Sequence, residues 1–189
     1  MTRHFARSLV ACVLASAAAV PAFAADLTGQ AVDVQWLFGT PPAVIADRNV
    51  TVGAGPEISC AGNSTGPDLC SFFVDGATID IGADTIKLTI DSGTAFWGAS
   101  QFNGYMFSNL AAGGAWSGYA LSTDFAGVDD SLVTFTPDSL SINMQGIHPV
   151  AGQSFTLTLL TAPVPEPTNV ALLLAGIGAL AGIARRKRA

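Results

Sequence analysis

From Ala77 to Ile90 the chain reads Ala-Thr-Ile-Asp-Ile-Gly-Ala-Asp-Thr-Ile-Lys-Leu-Thr-Ile. Ile79 and Ile81, then Ile86, Leu88 and Ile90, fall two residues apart. Only an extended chain places residues at that spacing on one face. The same period recurs in Ala31–Phe38, where Val32, Val34 and Trp36 alternate with polar neighbours, and in Arg48–Val52, with Val50 and Val52 on one side. Shorter β-prone runs are Glu57–Cys60, Cys70–Val74, Phe102–Phe107, Tyr119–Thr123, Leu132–Phe135, Leu140–Asn143 and Phe155–Leu160. Turn formers part them: Gly39-Thr40-Pro41-Pro42, Asp75-Gly76 and Asp91-Ser92-Gly93. Asn109–Gly118 reads as loop, because Ala111-Ala112-Gly113-Gly114 is too pliable for regular structure. No stretch of 25–163 holds a helical period. Many short strands divided by turns predict an all-β fold, an antiparallel β-sandwich of jelly-roll-like form.

The two ends of the chain have a different character. Arg3 and Arg7 precede an apolar stretch from Leu9 to Val20, Pro21 breaks it, and Ala22-Phe23-Ala24 supplies small residues at both required positions. A charged start, a greasy middle and an A-x-A end make a secretory signal peptide over 1–24, with Ala22 and Ala24 as the signal-peptidase site. A permanent N-terminal membrane helix is the alternative reading, disfavoured by the short apolar stretch. At the other end, Val170–Ala184 carries no charge and is followed by Arg185, Arg186, Lys187 and Arg188. As a helix those fifteen residues would rise roughly 22 Å, short of the roughly 30 Å hydrocarbon core. The run therefore reads as a marginal transmembrane helix whose basic stop stays in the cytoplasm. Pro165 and Pro167 flank Glu166 just before it, and both prolines disfavour helix, leaving an extended and accessible segment. Gly178 and Gly182 form a small-xxx-small pair of the kind that packs helices in lipid, though glycine is simply common in such tails.

This tail resembles the PEP-CTERM sorting signal of Gram-negative bacteria: Val164-Pro165-Glu166-Pro167, a short Leu/Ala/Gly helix, and a terminal arginine cluster, together covering 164–189. Asn169-Val170 stands where many members carry an aromatic residue. The resemblance implies recognition of the Pro-Glu-Pro motif by exosortase, an integral-membrane cysteine protease. It further implies release or transfer of the cargo to the cell surface or the extracellular polysaccharide matrix. Two middle segments, Phe102–Leu110 and Ser141–Gly146, also resemble stretches that recur in cargo proteins of this kind. The expected path is export, anchoring in the inner membrane, then processing.

Charge narrows the partners of the exported part. Between Ala25 and Pro165 only Arg48 and Lys87 are basic, against thirteen acids, leaving −11 where the whole chain carries −6. That field argues against nucleic acid and anionic lipid. Cys12 falls in the signal peptide, so Cys60 and Cys70 remain as an even pair in an oxidising compartment, and a disulfide is expected.

Each candidate chemistry in 25–163 has a plainer role beside it. Gly62-Asn63-Ser64-Thr65-Gly66 fits G-x-S-x-G, but that motif needs a strand-turn-helix elbow, and here it falls in the loop between the cysteines. Asn63-Ser64-Thr65 is also a glycosylation sequon, which marks an exposed loop. Two aspartate groups, Asp75/Asp80/Asp84/Asp91 and Asp124/Asp129/Asp130/Asp138, offer oxygen ligands for Ca²⁺, yet no D-x-D-x-D-G loop is present and turn duty explains them better. Trp97, Phe102, Tyr105, Trp116 and Tyr119 provide aromatics for sugar stacking or for a core. Trp116, in its Gly-rich loop, is the one expected to stand exposed and so the candidate glycan contact. Glu57 is the sole glutamate of 25–163, with nothing to place it opposite an aspartate as glycoside hydrolysis requires. No catalytic residue, cofactor or metal site is assigned. The expectation is a non-enzymatic surface or matrix protein with a structural or interaction role, and a glycan- or Ca²⁺-binding module is the runner-up.

Overall fold

A computed structural model describes residues 25–61, 68–71, 73, 75–162 and 176. The sorting motif (Pro165, Glu166, Pro167), the basic stop, the signal-peptidase site and the Asn63 sequon lie outside the described residues.

Ten strands form two antiparallel sheets. They are β1 (Ala31–Phe38), β2 (Ala43–Thr51), β3 (Ile58–Cys60), β4 (Ala77–Ile81), β5 (Thr85–Ile90), β6 (Asn103–Ser108), β7 (Trp116–Thr123), β8 (Val133–Thr136), β9 (Ser139–Asn143) and β10 (Ser154–Thr161). One sheet has the order β2-β1-β6-β9-β8 and the other β3-β4-β5-β10-β7. The two inner faces supply one shared core. Val32, Val34, Tyr105, Phe107, Leu140 and Ile142 come from the first sheet, and Ile79, Ile81, Ile86, Leu88, Phe155 and Leu157 from the second. The β-sandwich is thus the consequence of period two on both sheets.

The jelly-roll expectation needs correction. The long-range pairs β1–β6 and β5–β10 interleave along the chain, and neither sheet has the 4-1-2-3 strand order of a Greek key. Of Cys70–Val74, the described residues Cys70, Ser71 and Phe73 belong to no ladder strand either. Asp68–Ser71 makes a turn, closed by the Ser71 N–H on the Asp68 carbonyl (3.0 Å), and Phe73 forms only an isolated bridge to Ala95. In the opposite direction, β2 begins five residues before Arg48, because the hairpin after β1 pairs it from Ala43 onward.

Two buried positions tie the first sheet together. At Gly104 a Cβ would collide with the Ile142 carbonyl oxygen, so only glycine fits between β6 and β9. Asn103 is the one buried polar side chain among the described residues, and its bonds are met. Its Oδ1 accepts from the Trp36 indole (3.1 Å), its Nδ2 donates to the Gly98 carbonyl (3.0 Å), and its backbone N–H donates to Asn143 Oδ1 (3.0 Å). The segments at 102–110 and 141–146 therefore carry joints of the scaffold.

Candidate functional site

The sandwich has a near end, where the domain's chain enters and leaves, and a far end. Ala25 and Thr161 line the same shallow depression of about 340 Å³, together with Asp84, Trp116 and Leu160. Backbone bonds clamp this end: the Asp26 N–H reaches the Gly113 carbonyl and the Leu27 N–H the Ala83 carbonyl, both at 2.7 Å. Leu27 plugs the core and is fully buried. The Asp26 carboxyl accepts from Thr28, which holds it below the usual carboxylate range.

Trp116 belongs to this end, and its expected exposure is corrected. It opens β7 rather than sitting in a loop, is only 3% exposed, and donates its indole N–H to the Leu110 carbonyl at 2.9 Å. The reason is pairing: Trp116 lies opposite Thr161 of β10, so strand structure begins three residues before Tyr119. The short 3₁₀ turn Leu110–Gly113 supplies its acceptor. Trp97 and Tyr105 are likewise core residues, and Tyr119 is half-buried against Phe135. Burial, with the Asp130 carboxylate next in weight, raises the Tyr119 phenol above its ordinary value.

The far end is built differently. Cys60 and Cys70 are joined as expected, with Cα atoms 5.4 Å apart. The Tyr105 hydroxyl, fully buried, donates to the Leu69 carbonyl (2.6 Å) and pins the loop to the core. That burial, with Asp68 nearby, pushes the phenol far up.

Beside this loop lies a two-stranded ribbon that sequence reasoning missed. The Ala95 N–H donates to the Pro149 carbonyl (3.2 Å), the Trp97 N–H to the Ile147 carbonyl (3.3 Å), and Thr94 bridges Val150. Ala95, Trp97, Ile147 and Pro149 face the core, so Thr94, Phe96, His148 and Val150 face out. Phe96 is 52% exposed and stacks on His148 with ring centroids 4.4 Å apart. Burial alternates along Thr94–Trp97 and Ile147–Val150, but residue type does not, since Ala95, Phe96 and Trp97 are all apolar. Pro149 hid the second half as well, since proline cannot donate to a ladder and reads as loop. Phe38, Val44 and Ile45 leave further apolar surface where β1 turns into β2.

Acids far outnumber cations in this domain. Arg48 stands 4.0 Å from Asp68, and Lys87 sits directly opposite Asp80 across β4 and β5. No third cation exists between residues 25 and 162 to offset Asp75, Asp91 and Asp124 near the ribbon. Among the described residues no group of three or more His, Cys, Asp or Glu side chains is close enough to hold a metal. Asp129 works as a cap: its carboxylate accepts from the Ser131 hydroxyl and from the Ser131 N–H (2.8 Å), and these bonds lower its pKa. No helix among the described residues is long and apolar enough to cross a membrane.

Fold and termini together define an acidic, disulfide-bonded β-sandwich whose chain continues from its near end into a C-terminal sorting signal. Comparison with known families identifies that signal: residues 163–188 match the PEP-CTERM protein-sorting motif. The chain carries this motif over 163–188, and the motif indicates exosortase-targeted sorting to the cell surface. No curated protein matches it, and no solved structure does.

Proposed function

We propose that the sandwich is a non-enzymatic interaction module, displayed at the surface or in the extracellular matrix, whose far end makes the contact. The observation that carries this reading is the Phe96–His148 stack with Val150 beside it, apolar and open, at the end of the sandwich away from Ala25 and Thr161. A tether at one end leaves the other free to meet a partner. Scattered exposed apolar residues are ordinary, but a contiguous set on one ribbon face is the pattern of a binding surface.

The partner class follows from charge and shape. With −11 on the exported part, polyanions are repelled, and a neutral or cationic matrix polysaccharide fits best. An open aromatic face suits the apolar side of a sugar ring. The glycan contact thus moves from Trp116 to Phe96. The test is retention. A chain with Phe96→Ala and Val150→Ser should be exported, folded and processed at the parent rate, yet pass from the cell-surface fraction into the medium and lose pull-down by the host's polysaccharide. Undiminished retention and pull-down would refute the reading.

A further inference from the structure

The two sheets leave four strand edges, and β2 is the long open one. β3 has three residues and β8 four, too short to recruit a neighbour. β7 has eight, but its Tyr119 packs on Phe135 of β8, which brings those two edges together. β2 ends its sheet with nine residues. Its backbone groups alternate between β1 and solvent. Just beyond the strand, the Val52 N–H donates to the Gln30 carbonyl (2.9 Å) and the Val52 carbonyl accepts from the Gly29 N–H (2.8 Å). Counting back by two, Val50, Arg48 and Ala46 also face β1, so the N–H and C=O of Thr51, Asn49 and Asp47 point away from it. The Ala31 carbonyl agrees: opposite Thr51, it turns from β2 and accepts from the Asn109 amide (2.6 Å). Among the described residues nothing bonds those outward groups, and all three residues are exposed.

The symmetry of this edge says what fits it. Its regular stretch is Ala46–Val52, bounded by the bulge opposite Trp36 and Leu37 on one side and by Gly53 on the other. Asn49 is the centre of that stretch. A two-fold axis at Asn49 pairs Asp47 with Thr51 of a second copy, Arg48 with Val50, Ala46 with Val52, and Asn49 with itself. No like charges meet there. Asp47 meets a hydroxyl and Asn49 an amide, and the outward residues of the two copies give about six backbone bonds. An axis at Asp47 or Arg48 would set two carboxylates or two guanidinium groups opposite each other. An axis beyond Asn49 would leave part of the stretch unpaired. Arg48, one of the two basic residues between 25 and 162, lies on this edge and offsets Asp47 and Asp68 locally. The wider repulsion between two acidic domains is screened over about 8 Å at physiological salt.

We propose that β2 is a pairing edge whose partner is a second copy of this chain, joined antiparallel about Asn49 into one ten-stranded sheet. The two-fold sets the near end of one copy beside the far end of the other. The pair therefore joins copies that point opposite ways, as released copies or copies on facing surfaces do. This contact goes beyond the sugar-contact reading and makes no use of Phe96.

Cysteine placement reads the register. Asn49→Cys puts two thiols on the axis, where the Cα atoms of a bonded pair stand about 5.5 Å apart, within disulfide range. In Asp47→Cys or Thr51→Cys the like thiols are offset by four residues, about 13 Å, which is beyond that range. Full-length chains are recovered from cells and medium together, treated with a mild oxidant and run without reductant. Most of the Asn49→Cys chain should run at twice its mass, and Asp47→Cys and Thr51→Cys should each dimerise about tenfold less. Asp47→Cys with Thr51→Cys in one chain should bridge again. Adding Thr51→Pro to Asn49→Cys removes one outward N–H at a sheet edge and should cut bridging about tenfold. Peptide mapping should find Cys60–Cys70 kept in every variant, which shows that the domain folds.

A folded Asn49→Cys chain that stays monomeric overturns the proposal. Equal bridging at all three positions overturns it as well, because copies would then meet by collision or through another contact. Bridging that Thr51→Pro leaves undiminished also overturns it, since the outward backbone would not be holding the pair. None of these results bears on the Phe96 surface, whose own test is retention.

Discussion

The two ends of the sandwich handle apolar side chains in opposite ways. At the near end Leu27 and Trp116 are sealed under the chain's own backbone, and bonds from Asp26 and Leu27 hold the cover down. At the far end Phe96, Val150 and Phe38 stay in solvent while a disulfide and the Tyr105 hydroxyl hold the loops beneath them. Residues of one chemical type thus do different work. The sealed ones stabilise the domain, and the open ones cost little to remove. The lesson is that stability and recognition are separable here by position along the strands.

Substitutions should expose that asymmetry in graded steps. Leu27→Ala removes a fully buried side chain from the near end and should cost about 2–5 kcal/mol, read by denaturant unfolding. Replacing Cys60 and Cys70 together by serine should cost roughly 2–3 kcal/mol, since the bridge closes a short loop. Tyr105→Phe leaves the Leu69 carbonyl without its donor and should cost about 1–2 kcal/mol. Phe96→Ala should lie within about 0.5 kcal/mol of the parent in the same assay, while losing surface retention. A Phe96→Ala loss as large as that of Leu27→Ala would end the distinction between the two ends.

Titration sharpens the picture further. The Tyr105 phenol is raised in the folded state, so its contribution to stability is complete below its unfolded value and is lost as pH rises past about 10. Melting in alkali should fall more steeply for the parent than for Tyr105→Phe. Asp26 and Asp129 are lowered in the folded state, so their contribution is present above their unfolded value and fades as pH drops below about 4. Both are fully exposed, so this acid effect should be the smallest of all. Asp129→Asn should flatten the acid limb slightly and leave the alkaline limb unchanged.

The strands were largely legible. β1, β4 and β5 occupy the ranges their alternation marks, since each has one face in the core and one in solvent. Reading failed where partners, rather than local pattern, decide. Cys70–Val74 has strand-forming residues, yet its described part makes only the Phe73–Ala95 bridge, and β7 starts early because β10 offers Thr161 opposite Trp116. The ribbon of Phe96 and His148 stayed hidden because Ala95, Phe96 and Trp97 are all apolar and Pro149 reads as loop, so its alternation exists only in burial.

The amino-acid sequence alone determined that the chain is all-β, that Cys60 and Cys70 pair, and that its last residues are a sorting signal. Each of these depends on residue type at short spacing, which a linear text preserves. Only the tertiary structure decided the interleaved strand order, the burial of Trp116 and the exposure of Phe96. Those outcomes depend on which distant segment packs against which, and period two specifies two faces without saying what will cover either.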